Sequence, residues 1–150
     1  LSHLAGRQVR YALSGAWEDG AASGVVTADG KLEIKGAVIG SVYEVGTPYI
    51  SELQTMPLEG QNSFNSVRQM SRVRLRLMES DLYFSYQTTG ASRWETYTAG
   101  VDKLTVPYTG SVRLSQMPCA DVGQGFALRY SGMREFCLLS MSIEVDYHGK

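Results

Sequence analysis

Residues 67–77 form a long alternating run, in which arginines and apolar side chains alternate strictly from residue 72 to 77. Val73, Leu75 and Leu77 are separated by single arginines. A β-strand sends successive side chains to opposite faces, so this spacing allows one face to be buried while the other stays in water. The segment therefore predicts a long strand, not a helix. Its outward face carries Met70 and four arginines, namely Arg68, Arg72, Arg74 and Arg76.

The same period of two recurs along most of the chain. It predicts further strands at residues 8–13, 24–28, 31–36, 42–45, 82–87, 94–98, 110–114, 125–130 and 135–146. In the last of these, one apolar row is formed by Cys137, Leu139, Met141, Ile143 and Val145. Nine tyrosines and sixteen glycines among 150 residues are typical of strands joined by tight turns. We therefore expect an all-β protein, either an antiparallel β-sandwich or a partly closed barrel.

Local signals refine this picture. Asp29-Gly30 lies between two of the predicted strands and predicts a hairpin with a type I′ turn, because both residues tolerate positive φ. Pro48 and Pro57 lack a backbone N–H, so the extended stretch between them is not expected to be a central strand. The polar residues 59–66 are predicted to form a loop. The length suits one β-rich domain over residues 1–150, with 1–46 and 47–150 as its sub-lobes.

Composition limits the classes of function. The formal net charge is −1, so no overall positive field attracts the chain to nucleic acid or to an anionic membrane. No apolar run reaches the roughly 18 residues of a membrane-spanning helix. The chain begins without Met and without a secretory signal, so we expect it to be a piece of a larger protein. Cys119 and Cys137 are expected to be reduced and mostly buried, with a disulfide as the alternative.

No catalytic, cofactor or metal motif is present in the sequence. The adjacent carboxylates Glu18 and Asp19 are expected in a turn, and no nucleophile elbow or phosphate-binding glycine loop occurs. The two histidines, His3 and His148, stand at opposite ends of the chain, which disfavours a zinc site. We therefore expect a protein that is not an enzyme, with no catalytic residues, cofactor or metal.

The arginine row is the best functional candidate. Guanidinium groups at this spacing suit bidentate hydrogen bonds to carboxylates of a neighbouring subunit or to phosphates. The alternative is a solvated sheet face on which the arginine stems cover apolar neighbours. A second candidate is an aromatic set that could stack sugars or could pack in the core, formed by Tyr83, Phe84, Tyr86, Trp94 and Tyr97.

Several motifs resemble those of the phage tail nozzle family, the tail tubular protein B proteins of short-tailed phages. The family element "VGLPY" is similar to Val45-Gly46-Thr47-Pro48-Tyr49, with Thr47 in place of an apolar residue. The strand "xRVxLRLxxS" resembles residues 71–80, and "FTG" resembles Tyr108-Thr109-Gly110. The opening of the family pattern is similar to residues 4–13, followed by 24–26 and 31–34.

This resemblance implies a structural virion component that has no catalytic residues, with this chain as its C-terminal, β-rich fragment. Copies of the protein would form a ring in the tail tube, next to other tail proteins, and DNA would pass through it transiently. The protein would assemble in the host cytoplasm and reside in the phage tail. Val45, Gly46, Pro48 and Tyr49 would be structural, and the arginine row would be a subunit interface. The alternative function is a carbohydrate- or receptor-binding β-sandwich module of a phage tail.

Overall fold

The computed structural model describes residues 1–14, 21–56, 67–89, 91–98, 107–114 and 125–148, with the backbone alone at 67–69 and 147–148. In these ranges a short 3₁₀ turn, Ser2–Leu4, precedes ten strands. These are β1 Gln8–Leu13, β2 Ala22–Val25, β3 Tyr43–Gly46, β4 Tyr49–Gln54, β5 Val67–Ser80, β6 Phe84–Thr88, β7 Glu95–Tyr97, β8 Tyr108–Leu114, β9 Phe126–Gly132 and β10 Cys137–His148. The protein is all-β, as the alternation predicts.

The strands form three antiparallel sheets. The N-terminal sheet has the order β2-β1-β3. A second sheet of three strands has the order β10-β5-β8 and is called the three-stranded sheet below. The four-stranded sheet has the order β4-β9-β6-β7. Each of the seven strand pairs is antiparallel. Among the described strands the sheets stay separate and do not close into a barrel. The structure is therefore of the sandwich kind.

The main core lies between the three-stranded and the four-stranded sheets. From β5 it receives the buried row Val73, Leu75 and Leu77, each fully inaccessible to solvent. The facing and flanking core residues are Met70, Leu82, Phe84, Val112, Leu114, Phe126, Leu128 and Tyr130. The three buried β5 side chains remove apolar surface worth roughly 1.5–3 kcal/mol each. This burial fixes which face of β5 points to solvent, because a shift by one residue would bury the arginines.

The N-terminal sheet has a smaller buried group of its own. Val9 and Val26 are fully buried, and Tyr11 and Ala12 are nearly so. These residues are not part of the main core cluster. The sheet is built within residues 8–46, whereas the division of the chain into sub-lobes 1–46 and 47–150 stays a prediction.

The hairpin predicted at Asp29-Gly30 is wrong in its geometry and in its second arm. A turn does form, since Gly30 N–H donates to the Thr27 carbonyl at 2.9 Å and Gly30 has φ +79°. Asp29 has no positive φ, which a type I′ turn would require. The two predicted arms do not pair with each other. Residues 31–36 are not a strand, and β2 pairs with β1 instead. The alternation of Lys31 to Ile34 thus has no sheet partner to turn it into a strand.

Two β-bulges correct the predicted side-chain rows. The β5–β10 register shifts between Arg72 and Met70, so Ser71 is an extra residue and Met70 turns into the core. Met70 therefore does not share the face of the arginines. A second shift, between Leu138 and Ser140, leaves Leu139 half exposed and places Leu138 against the core instead. The apolar row of β10 is otherwise half-buried as predicted from residue 141 to 145.

Candidate functional site

The arginine patch lies on the outer face of the three-stranded sheet. Arg74 and Arg76 are exposed and Arg72 is partly exposed, opposite in direction to the buried Val73 and Leu75. The predicted row thus faces away from the core at these three positions. The side chain of Arg68 lies outside the described residues. Other exposed positions on the neighbouring strands include Thr109 and Ser111 on β8, and Ser140, Ser142, Glu144 and Asp146 on β10.

A fourth arginine joins this face from β8. Arg113 is exposed and is the direct cross-strand partner of Arg74. Opposite residues of an antiparallel pair have Cβ atoms about 4.5–5.5 Å apart, and like charges at this spacing destabilise the sheet. The arginine patch is hereafter the set of Arg72, Arg74, Arg76 and Arg113. Its Arg74–Arg113 pair costs free energy unless an anionic group lies over it.

Among the described residues, carboxylates neutralise only one corner of the patch. Arg72 Nη1 lies 2.8 Å from Glu144 Oε2, and both side chains are about half exposed, so the pair contributes little to stability. For Arg74, Arg76 and Arg113 no ion pair occurs within the part of the chain that the structure describes. Within the described residues, three guanidinium groups therefore stand without an ion-pair partner on a surface that contains several serine and threonine side chains.

Arg113 was missed by the sequence reasoning. Its signal was present, since Arg113 stands between Val112 and Leu114 in a predicted strand. However, an isolated arginine on a strand is ordinary, and only the pairing of β8 with β5 places it beside Arg74.

Residues 45–49 form the connection between the N-terminal sheet and the four-stranded sheet. Val45 and Gly46 end β3, Pro48 is exposed in the connection, and Tyr49 begins β4. A Cβ at Gly46 would lie 3.0 Å from Met133 Cβ, so the close approach of these two segments favours glycine at position 46. Tyr49 Oη donates to the Arg134 carbonyl at 2.8 Å. These contacts involve Gly46 and Tyr49, whereas the structural role of Val45 and Pro48 stays a prediction.

Arg134 is the centre of this connection. Its Nε is 2.7 Å from Glu44 Oε2 on β3, and its Nη1 is 3.7 Å from Asp81 Oδ2 in the turn between β5 and β6. Its backbone N–H donates to Tyr130 Oη at 3.1 Å. One arginine thus joins the N-terminal sheet to both halves of the sandwich, a role that no sequence pattern indicates.

A cavity of about 300 Å³ opens beside Arg134 and is mainly acidic. Its lining consists of Glu44, Glu79, Asp81, Pro107, Met133, Arg134 and Glu135, here called the acidic pocket. Four acidic residues thus line the cavity together with Arg134, and two of them, Glu44 and Asp81, pair with its guanidinium. Glu79 and Glu135 are exposed. Neither carboxylate has an ion-pair partner among the residues whose side chains are described.

The aromatic set is divided between the two faces of the four-stranded sheet. Phe84 is buried, stacks on Tyr97 at 5.0 Å between ring centroids, and contacts Phe136. Burial, and secondarily the Glu95 carboxylate, raises the pKa of Tyr86 above its usual 10.0. These aromatic residues therefore pack against the core and do not form one exposed platform.

Trp94 lies on the other side of this sheet and is covered by a cation. The Arg129 guanidinium carbon is 4.2 Å from the centre of the Trp94 ring, and Arg129 also pairs with Glu52 at 2.9 Å. A sugar stacking on this ring would have to displace Arg129. The arrangement gives no support to a carbohydrate site at Trp94.

Several kinds of site do not occur in the described parts of the chain. No group of three or more His, Cys, Asp or Glu side chains there is placed to hold a metal ion. No helix in those ranges has the length and apolar character needed to cross a membrane. Cys137 is half-buried, and Cys119 lies outside the described residues, as does the predicted loop 59–66.

Comparison with known proteins adds no family assignment. No protein-family model matches the chain, and no curated protein matches it.

Proposed function

We propose that this chain is a structural, non-enzymatic part of a phage tail tube or nozzle, in which copies of the protein form a ring through which DNA passes. Adjacent tail proteins would bind the ring, which would assemble in the host cytoplasm and become part of the virion. The similarity of residues 45–49 and 71–80 to the tail nozzle family supports the proposal. The observation that carries it is the arginine patch.

The patch favours a protein partner for two reasons. Arg74 and Arg113 are directly opposed, so a partner carboxylate over them would relieve repulsion and form charge-assisted hydrogen bonds. The patch is also restricted to one sheet face of a chain with net charge −1, so it does not give the domain the general positive field of a nucleic-acid binder. A conduit for DNA would gain nothing from tight phosphate binding, because each neutralised phosphate adds affinity that would retard transit.

The first test is the oligomeric state of the full-length protein, measured by negative-stain microscopy and mass photometry. We expect rings. A protein that stays monomeric under all conditions would contradict the proposal.

The second test changes Arg72, Arg74 and Arg76 together to Gln. The fold should remain intact, because these side chains point away from the core, and ring assembly should weaken. If the contacts lie at the exposed rim of the interface, high salt should weaken the assembly of the unmodified protein and should affect that of the variant less, because the variant lacks the screened charges. A matched control neutralises three exposed cations away from the patch, namely Arg7, Lys35 and Arg93.

The outcomes separate the alternatives. Normal assembly of the triple Gln variant, with loss of salt-sensitive binding to duplex DNA, would assign the row to DNA instead of a subunit. If assembly and DNA binding both stay unchanged, the row is a solvated face. Saturable sugar binding by the isolated chain on a glycan array would support the receptor-binding alternative.

A further inference from the structure

The arginine patch and the acidic pocket lie on different parts of the molecule and have opposite charge. The patch occupies the outer face of the three-stranded sheet. The pocket lies where β5 turns toward β6 and β9 turns toward β10, at the end of the sandwich. Both surfaces keep charged groups without ion-pair partners within the described residues: Arg74, Arg76 and Arg113 on one, Glu79 and Glu135 on the other.

The backbone keeps the two surfaces apart. After Leu77 the β5–β8 register shifts, with Leu77 opposite Gly110 and Ser80 opposite Tyr108. Glu79 lies in this irregularity with φ +45°, and its N–H donates to Thr109 Oγ1 at 3.0 Å. Glu79 therefore does not continue the row of Arg72, Arg74 and Arg76 and is turned toward the pocket end.

We infer that the arginine patch of one copy binds the acidic pocket rim of a second copy of this chain, with Glu79 and Glu135 as the partner carboxylates. This inference rests on the proposed function, because it names the surface that the neighbouring subunit presents. The complementarity of charge is the reason for choosing a second copy as the occupant.

The contact is heterologous, which has a consequence for assembly. Each pair of copies leaves one arginine patch and one acidic pocket available, so the contact repeats and produces a ring if the rotation closes. An isologous contact between two arginine patches would instead place like charges together. The predicted interface is therefore directional, from the face of one subunit to the end of the next.

Two variants test the two surfaces separately. The patch variant carries Arg74→Gln, Arg76→Gln and Arg113→Gln, and the pocket variant carries Glu79→Gln and Glu135→Gln. All five side chains are exposed, so circular dichroism and urea unfolding should match those of the unmodified protein. The control for the pocket variant removes two other exposed or half-exposed carboxylates, Glu33 and Glu95.

Sedimentation velocity of each variant and of their mixture gives the readout. Each variant alone should associate at least roughly tenfold more weakly than the unmodified chain. An equimolar mixture should form 1:1 dimers that do not grow, because only the intact patch of one variant can meet the intact pocket of the other. The control variants should assemble like the unmodified chain.

Two outcomes of these measurements would overturn the inference. Assembly of either variant alone like the unmodified chain, or a mixture that stays monomeric, excludes this pairing of surfaces. If the mixture forms 1:1 dimers while the full-length protein forms no rings, the contact stands and the proposed tail-ring function fails. If rings form but the variants do not affect them, the tail-ring function stands and the contact is wrong.

Discussion

Replacing Arg134 with Met should destabilise the protein more than any other single removal of a surface or near-surface charge. The Arg134 side chain is only 11% exposed and lies 3.7 Å from the fully buried carboxylate of Asp81. At an effective dielectric constant of about 20, two unit charges at this distance attract by about 4 kcal/mol. Removing one partner of a buried pair costs about 3–5 kcal/mol, because the other charge stays buried. We expect a loss of about 3 kcal/mol.

The second ion pair of Arg134 contributes less. Glu44 is 42% exposed, so solvent screens its interaction with Arg134. We expect Glu44→Gln to reduce the free energy of unfolding by less than about 1 kcal/mol. Arg134→Met should therefore lower the free energy of unfolding much more than Glu44→Gln does, although the contact of Arg134 with Glu44 is shorter than its contact with Asp81.

Urea unfolding followed by far-ultraviolet circular dichroism measures both variants. In the Arg134→Met background, Asp81→Asn should restore part of the lost stability, since it removes the buried charge that Arg134 accompanied. Arg93→Met is the control, because Arg93 is largely exposed and its ion pair with Glu95 is weak. If Arg134→Met costs no more than Glu44→Gln, the buried pair with Asp81 does not hold this connection together.

Three further predictions concern single strands and turns. Leu75→Ala should lower the free energy of unfolding by about 2–5 kcal/mol, and Arg74→Ala by less than about 0.5 kcal/mol, when both are measured by urea unfolding; equal losses would contradict the buried and exposed faces of β5. The Lys31 ammonium holds the pKa of Asp29 below its usual 3.8, so an NMR titration should show that Lys31→Gln raises the pKa of Asp29. The stabilisation from this carboxylate should be lost as pH falls through the lowered pKa. An unchanged titration midpoint would refute the assignment. Ile50, 70% exposed on the edge strand β4, should promote association of this edge, so light scattering should show that Ile50→Lys reduces aggregation without lowering stability; unchanged aggregation would show that this edge does not pair.

The sequence predicted the faces of β5 wherever the strand is regular. From Arg72 to Leu77 the side chains alternate with a period of two, and a core on one side requires that Val73, Leu75 and Leu77 be buried. The bounds of β1 and the start of β5 also agree with the prediction. Local chemistry was sufficient there, because a strand with one apolar face has a single favourable orientation.

The alternation could not reveal where a strand is interrupted. The extra residue Ser71 turns Met70 into the core. The extra residue Leu139 places Leu138, in its own stead, against the core. Both bulges arise from the pairing of β5 with β10, strands that are more than fifty residues apart in the chain. Lys31 to Ile34 shows the converse, since an alternating segment without a partner strand does not become a strand.

The composition of the candidate site was decided by tertiary structure. The sequence by itself determined an all-β chain with an outward row at Arg72, Arg74 and Arg76. Only the pairing of β8 with β5 brought Arg113 opposite Arg74, and only the approach of the β9–β10 turn to the β5–β6 turn brought Arg134 to Asp81. The physical reason is range: the direction of a side chain follows from its neighbours along the strand, whereas the charge that faces it depends on which distant strand lies beside it.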